Sequence, residues 1–115
     1  MNLSDQVVSL DLAKKLKDLG VKQDSLFYWT IGGVVYRGEM PFWLPENPSA
    51  FTASELGELL PLWFECAKRE KQDWTCRFFD KKSNLYHHSF AVIMVDAMAK
   101  ILIHLIENGF ININE

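Results

Sequence analysis

The sequence predicts one small α+β domain over residues 1–115, in which an antiparallel sheet of two hairpins packs with about three helices. Apolar residues recur at helical spacing in three places, around Leu12–Leu19, Leu56–Leu60 and Phe90–Asn108. Between them, aromatic and β-branched runs flank short turns at Leu26–Arg37 and Trp74–Phe90. Hydrophobic residues make up 49% and charged residues 23%, a balance that globular chains have and disordered ones lack. A 13.3 kDa chain has a folded surface of roughly 6,400 Å² against roughly 19,000 Å² when extended, so folding can bury enough for one core.

Each element has its own signal. Ser9 is placed to cap a helix running to about Leu19. Leu12, Ala13, Leu16 and Leu19 fall three and four apart, while Asp11, Lys14, Lys15, Lys17 and Asp18 take the other side. That is the period of a surface helix with one buried stripe. Gly20 supplies the left-handed residue that stops it, and Val21 can fold back on the last turn. Leu26–Ile31 and Val34–Arg37 flank Gly32-Gly33, which reads as a tight hairpin because such turns need positive φ at their centre. Tyr28, Trp29 and Ile31 put bulk on both faces of the first strand, so it is covered twice or one face meets a partner. Pro41, Pro45 and Pro48 break the next stretch into an ordered loop, whose Phe42, Trp43 and Leu44 should fold back over the sheet edge.

Thr52 and Glu55 form the pattern of a capping box. The helix it opens holds Leu56, Leu59 and Leu60, and Pro61 ends or kinks it. Leu62–Arg69 fits a helix or a strand. Trp74–Phe79 and Leu85–Phe90 form the second hairpin about Asp80–Asn84, with Trp74, Cys76 and Phe78 on one face and Thr75, Arg77 and Phe79 on the other. A last helix from about Phe90 to Asn108 carries a single polar stripe of Asp96, Lys100, His104 and Glu107. It must be covered over most of its circumference. Gly109 ends it, and Phe110 is free to pack back.

Composition also narrows the function classes. A net charge of −3 gives no overall attraction to nucleic acid or to acidic membranes. The most apolar stretch, Phe90–Ile106, contains Asp96, Lys100 and His104, whereas a membrane span needs about 20 residues with few or no charges. The first six residues hold no basic run leading into an apolar block, so no secretory signal is expected. Two cysteines are too few for a disulfide scaffold. The expected place is the cytoplasm, with both thiols reduced.

Three segments occur together: SLDLAKKLKDLGVKQDSLFYW at Ser9–Trp29, TASELGELLP at Thr52–Pro61 and LIENGFI at Leu105–Ile111. This set, about a third of the chain, resembles a family of small phage and prophage proteins without a known activity. The resemblance implies a mobile-element origin in a bacterium and an accessory role. It carries over no catalytic or binding residue.

Four constellations are chemically suggestive. Cys66, Cys76, His87 and His88 could ligate zinc, but the cysteines stand ten apart where structural sites pair ligands two to four apart. Adjacent strand histidines also point to opposite faces. His87, His88 or Ser89 with a cysteine could make a nucleophile and base, yet no nucleophile elbow or phosphate loop accompanies them. Glu55 and Glu58 are explained by the helix dipole. Six bases against four acids lie between Leu62 and Phe90, interleaved with Trp74, Phe78, Phe79 and Tyr86, a pattern that can stack and hold single strands. Finally, four Trp, eight Phe and three Tyr exceed what so small a core absorbs, and interface centres are rich in aromatics.

The reading is a non-catalytic accessory protein acting through protein contacts, with a partner or with itself as a homodimer, through Tyr28, Trp29, Phe42 and Trp43. The alternative is a weak single-stranded nucleic-acid binder using Arg77, Lys81 and Lys82. No catalytic residue, cofactor, metal or membrane contact is expected.

Overall fold

The segment that the sequence marks as most apolar is the hub around which the other elements are placed. A computed structural model of the chain describes residues 5–30, 32–36, 47–61, 64–68 and 73–111. In order these form α1 (Leu10–Asp18), β1 (Phe27–Thr30), β2 (Gly33–Tyr36), α2 (Ala53–Leu59), β3 (Phe64–Lys68), β4 (Trp74–Asp80), β5 (Leu85–Ala91) and α3 (Met94–Glu107). Helix α3 touches α1, α2, β3, β4 and β5. Val95, Ala97, Met98, Ala99, Ile101, Leu102, Ile103 and Leu105 are buried, and they form one core with Leu16, Phe51, Leu56 and Cys76.

The α+β architecture is present, but the strands form two sheets rather than one sheet of two hairpins. Among the described strands β1 pairs with β2 alone, and β3, β4 and β5 form a separate antiparallel sheet in that order. The reason lies at the free edge of β1. Pro48–Ala50 runs along it, with Trp29 N–H donating to the Pro48 carbonyl at 3.0 Å and Ala50 N–H to the Phe27 carbonyl at 2.9 Å. That edge is therefore already paired and cannot extend into the second sheet. The ambiguous segment supplies the third strand of that sheet: Phe64–Lys68 pairs with β4 from Phe64–Phe78 to Lys68–Trp74. Pro61 stops α2, and Leu60 before it takes the extended conformation, φ −77° and ψ 149°, that the residue before a proline prefers.

The first hairpin closes one residue away from the expected turn. Thr30 pairs with Gly33, so Gly33, with φ +117°, begins β2. The last helix starts four residues late, because Phe90 and Ala91 are still paired with Thr75 and Trp74 in β5. The C-terminal ends of α1 and α3 match their sequence signals closely, whereas Ser9 stands at the N-cap of α1 without a side-chain capping hydrogen bond. Gly20 has φ +93° and Gly109 φ +75°. In α1 the Gly20 and Val21 N–H groups donate to the Lys17 and Leu16 carbonyls, and in α3 those of Gly109 and Phe110 donate to Ile106 and Leu105. Each helix thus satisfies two of its last carbonyls through one left-handed residue. The capping box at Thr52 and Glu55 is complete, and the same Glu55 accepts from Leu26 N–H at 3.1 Å, which anchors the entry to β1.

One expectation about chemistry is corrected here. Cys66 and Cys76 are not two reduced thiols but a disulfide. They stand ten apart in sequence, yet the β3–β4 register sets them directly opposite each other, with their Cα atoms 4.2 Å apart.

Candidate functional site

Side chains alternate across a strand, so the three-stranded sheet has two contrasting faces. Trp74, Cys76, Phe78, His87 and Ser89 face α3. The other face is a grid set by the register: Ala67, Thr75 and Phe90 in one row, Glu65, Arg77 and His88 in the next, Phe79 and Tyr86 in the third. Helix α3 covers the first face. On the second, Tyr86 is 50% and Phe90 46% exposed.

The open face has a defined relief. Its centre is the Arg77–Glu65 pair, with Arg77 Nε 2.8 Å and Nη2 2.6 Å from the same Glu65 oxygen. The guanidinium also lies 4.8 Å from the centroid of the Tyr86 ring. The Glu65 hydrogen bond, and then its charge, raise the Arg77 pKa. A hollow of 560 Å³ bordered by Ala67, Thr75, His88 and Phe90 lies to one side of the pair. A second of 390 Å³, bordered by Phe64, Phe79, Lys81 and Tyr86, lies to the other. The Phe79 and Tyr86 rings are 4.9 Å apart, and His88 stacks nearly parallel to Phe90 at 6.3 Å.

No known family, curated protein or solved structure matches the chain. Its function has to be read from this geometry.

Of the four residues expected to form an interaction surface, Tyr28 and Trp29 are among the described residues. Tyr28 is 2% exposed and its hydroxyl donates to the Gln23 carbonyl at 3.0 Å, so it is a core residue. Trp29 packs against the core, and its indole N–H donates to the Val8 carbonyl at 2.8 Å. Phe42 and Trp43 lie outside the described residues. Of the bases expected to meet nucleic acid, Arg77 and Lys81 border the smaller hollow, whereas Lys82 lies in the β4–β5 turn, its backbone N–H donating to Asp80. Trp74 and Phe78 pack against the core, so of the four interleaved aromatics only Phe79 and Tyr86 reach the open face.

The metal and nucleophile sets are scattered. The cysteines are bonded to each other, and the Ser89 hydroxyl is buried and donates to the Ala97 carbonyl at 2.6 Å. His88 sits on the open face and His87 on the covered one. There His87 Nδ1 lies 2.9 Å from His104 Nε2, with the Phe110 ring 4.7 Å from that of His87. Among the described residues, no three His, Cys, Asp or Glu side chains are grouped to hold a metal ion, and no helix is long and apolar enough to cross a membrane.

Sequence reasoning missed the open face because it left β3 undecided. The signal was short: Phe64, Glu65 and Cys66 alternate apolar and polar, and the apolar Ala67 breaks the pattern. It missed the His87–His104 contact because nothing in the spacing of the two residues sets helix against strand.

Proposed function

We propose that this chain is a non-catalytic accessory protein of phage or prophage origin, working through protein contacts made by the open face of β3–β4–β5. The observation that carries the reading is the half-exposed Tyr86 and Phe90 on the same face as Phe79 and an ion pair. Aromatic residues and arginine are enriched where proteins meet, and a polar rim surrounds them. The resemblance of the three sequence segments supports the mobile-element origin. A photo-crosslinking residue placed at Tyr86 should trap protein adducts in the host cell, while the same residue at Lys14, on α1, should not. Equal yields at both positions would remove the reading.

A second reading, a weak binder of single-stranded nucleic acid, is favoured by Arg77 over the Tyr86 ring and Lys81 beside Phe79. Binding of that kind releases counterions and weakens steeply with salt. A gel shift on short oligonucleotides at low and physiological salt tests it, with loss in the Arg77→Ala/Lys81→Ala/Lys82→Ala variant as the expected signature.

A further inference from the structure

We infer that His87 and His104 form an acid-operated clasp between β5 and the last turn of α3, closed while the pair holds at most one extra proton and opened by the second.

The hydrogen bonds around the neutral pair place its protons. Asn108 Nδ2 lies 2.8 Å from the His104 carbonyl. A carbonyl oxygen only accepts, so the atom facing it is the amide nitrogen. The same nitrogen lies 3.3 Å from His104 Nδ1. An amide nitrogen only donates, so His104 Nδ1 is bare. His104 therefore carries its proton on Nε2 and donates it to His87 Nδ1, 2.9 Å away. His87 carries its own proton on Nε2, which is buried with no hydrogen-bond partner among the described residues. Among those residues, His104 is the group that tethers the His87 ring by a hydrogen bond.

Two imidazoles offer four ring nitrogens, and the neutral pair places two protons on them. With one more proton, His87 Nε2, the shared position and His104 Nδ1 are all filled. The bond between the rings survives that step, but His104 Nδ1–H then points at the Asn108 amide nitrogen, and the Asn108 side chain has to turn. With a further proton, two N–H groups meet head-on and neither ring has a lone pair to offer. Two cations with ring centres 4.9 Å apart, in a partly buried site, also repel more strongly than they would in water. The closed contact does not exist in that state.

Neighbouring charges do not change the sign. Phe64 and Phe78 share the His87 row of the sheet and are uncharged. Asp80, at the end of β4, interacts with the charge of His87. Glu107, a turn after His104, pairs with Lys15 of α1 at 3.3 Å, and Lys100, a turn before it, donates to the Phe90 carbonyl at 2.9 Å. The two carboxylates favour the first proton, but neither is an acceptor between the rings, where the second must go. The opened clasp takes both protons and the closed one takes a single proton, so acid favours opening. Movement falls on α3, because β5 is paired with β4 along all seven residues, whereas His104 lies in the last helical turn. The Phe110 ring, 4.7 Å from that of His87, loses a neighbour with it.

The test uses the full chain labelled with nitrogen-15, at about pH 7.5 and about pH 5, the two sides of ordinary histidine titration. At the higher pH a scalar coupling across the hydrogen bond should join His104 Nε2 to His87 Nδ1, with His104 Nδ1 bare. At the lower pH the coupling should be gone while the far-ultraviolet spectrum is unchanged. Hydrogen exchange, corrected for the intrinsic rate at each pH, gives a second readout. Protection of the Phe110 N–H, bonded to the Leu105 carbonyl at 2.9 Å, should fall about tenfold or more, the effect of one proton over one pH unit. That of Cys76, buried in β4, should hold. In His104→Gln the side-chain amide can donate or accept but takes up no proton, so Phe110 protection should be independent of pH. His88→Gln, on the open face, should behave like the wild type. The inference is overturned by a coupling absent at about pH 7.5 or persisting at about pH 5, or by a proton on His104 Nδ1 at the higher pH. Loss of protection shared by Cys76, or the same pH dependence in His104→Gln, overturns it equally.

Discussion

Gly109 has φ +75°, and a Cβ built there meets nothing within 4 Å. Its value to the fold is therefore purely conformational. Gly109→Ala should cost about 1 kcal/mol in urea unfolding, the strain of an L-residue in the left-handed region, and Gly109→Asn should cost less. Asp96 is a second single-residue case. It accepts the Ser9 N–H at 2.8 Å and so joins the start of α1 to the start of α3, but burial raises its pKa above 3.8 more than that bond lowers it. A raised folded pKa means that the folded state takes up this proton more readily than the unfolded chain. The contribution to stability is then complete below about pH 3.8 and is lost as pH rises through the folded value. Asp96→Asn keeps an acceptor oxygen for Ser9 and removes the charge. Urea melts across that window should show the Asp96 dependence in the wild type and its absence in the variant. At this scale the sequence was informative wherever one residue type has one job: both C-terminal glycines and the Thr52–Glu55 box were legible, and Asp96 was read only as part of a polar stripe.

Among the elements, α3 decides the architecture. Leu105 is fully buried in it, and Leu105→Ala should cost about 2–5 kcal/mol, the range for deleting a packed leucine side chain. A loss under about 0.5 kcal/mol, the size of a surface effect, would place this face of the helix in solvent. The adjacent histidines of β5 offer an internal comparison. His87 shares one hydrogen bond with His104 on α3 and is packed by Phe78 and Phe110. Removing His104 leaves the His87 ring nitrogen without that partner, so His104→Ala should cost about 1–3 kcal/mol. His88→Ala, on the open face, should stay within about 0.5 kcal/mol. The periodic runs gave α1, α2, β4 and β5 nearly to their ends. The start of α3 was misjudged because Phe90 and Ala91 suit helix and strand equally, and only pairing with β4 decides between them. β3 was undecided for the same reason, since its partner strand begins six residues after it ends.

For the whole molecule, one fact about topology outweighs the local ones. The sequence shows hairpins but not which sheet edge meets which. Pro48–Ala50 takes the β1 edge and separates the two sheets, and that contact spans a stretch whose proline-rich composition gives no register. The aromatic surplus pointed the sequence reading to the first hairpin and the loop after it. Tyr28 is buried in the core, while Tyr86 and Phe90 stand half exposed on the second sheet, which exists as a three-stranded face only once β3 is in place. Composition can count excess aromatic area. Strand order decides where it emerges.

The Cys66–Cys76 bond adds a record of surroundings to this architecture. Closing a loop of about ten residues restricts the unfolded chain and stabilises the fold by roughly 2–3 kcal/mol in a chain-entropy account, so dithiothreitol should lower the urea midpoint accordingly. Living cells impose a different reading on the same pair. Thioredoxin and glutathione keep thiols apart in the cytoplasm, whereas secreted and periplasmic proteins retain their bridges. Chains captured by acid quenching and alkylated at once would carry two labels if they had stayed in the cytoplasm and none if they had passed into an oxidising space. Two neighbouring strands thus act as a stamp of provenance, legible by mass spectrometry one chain at a time.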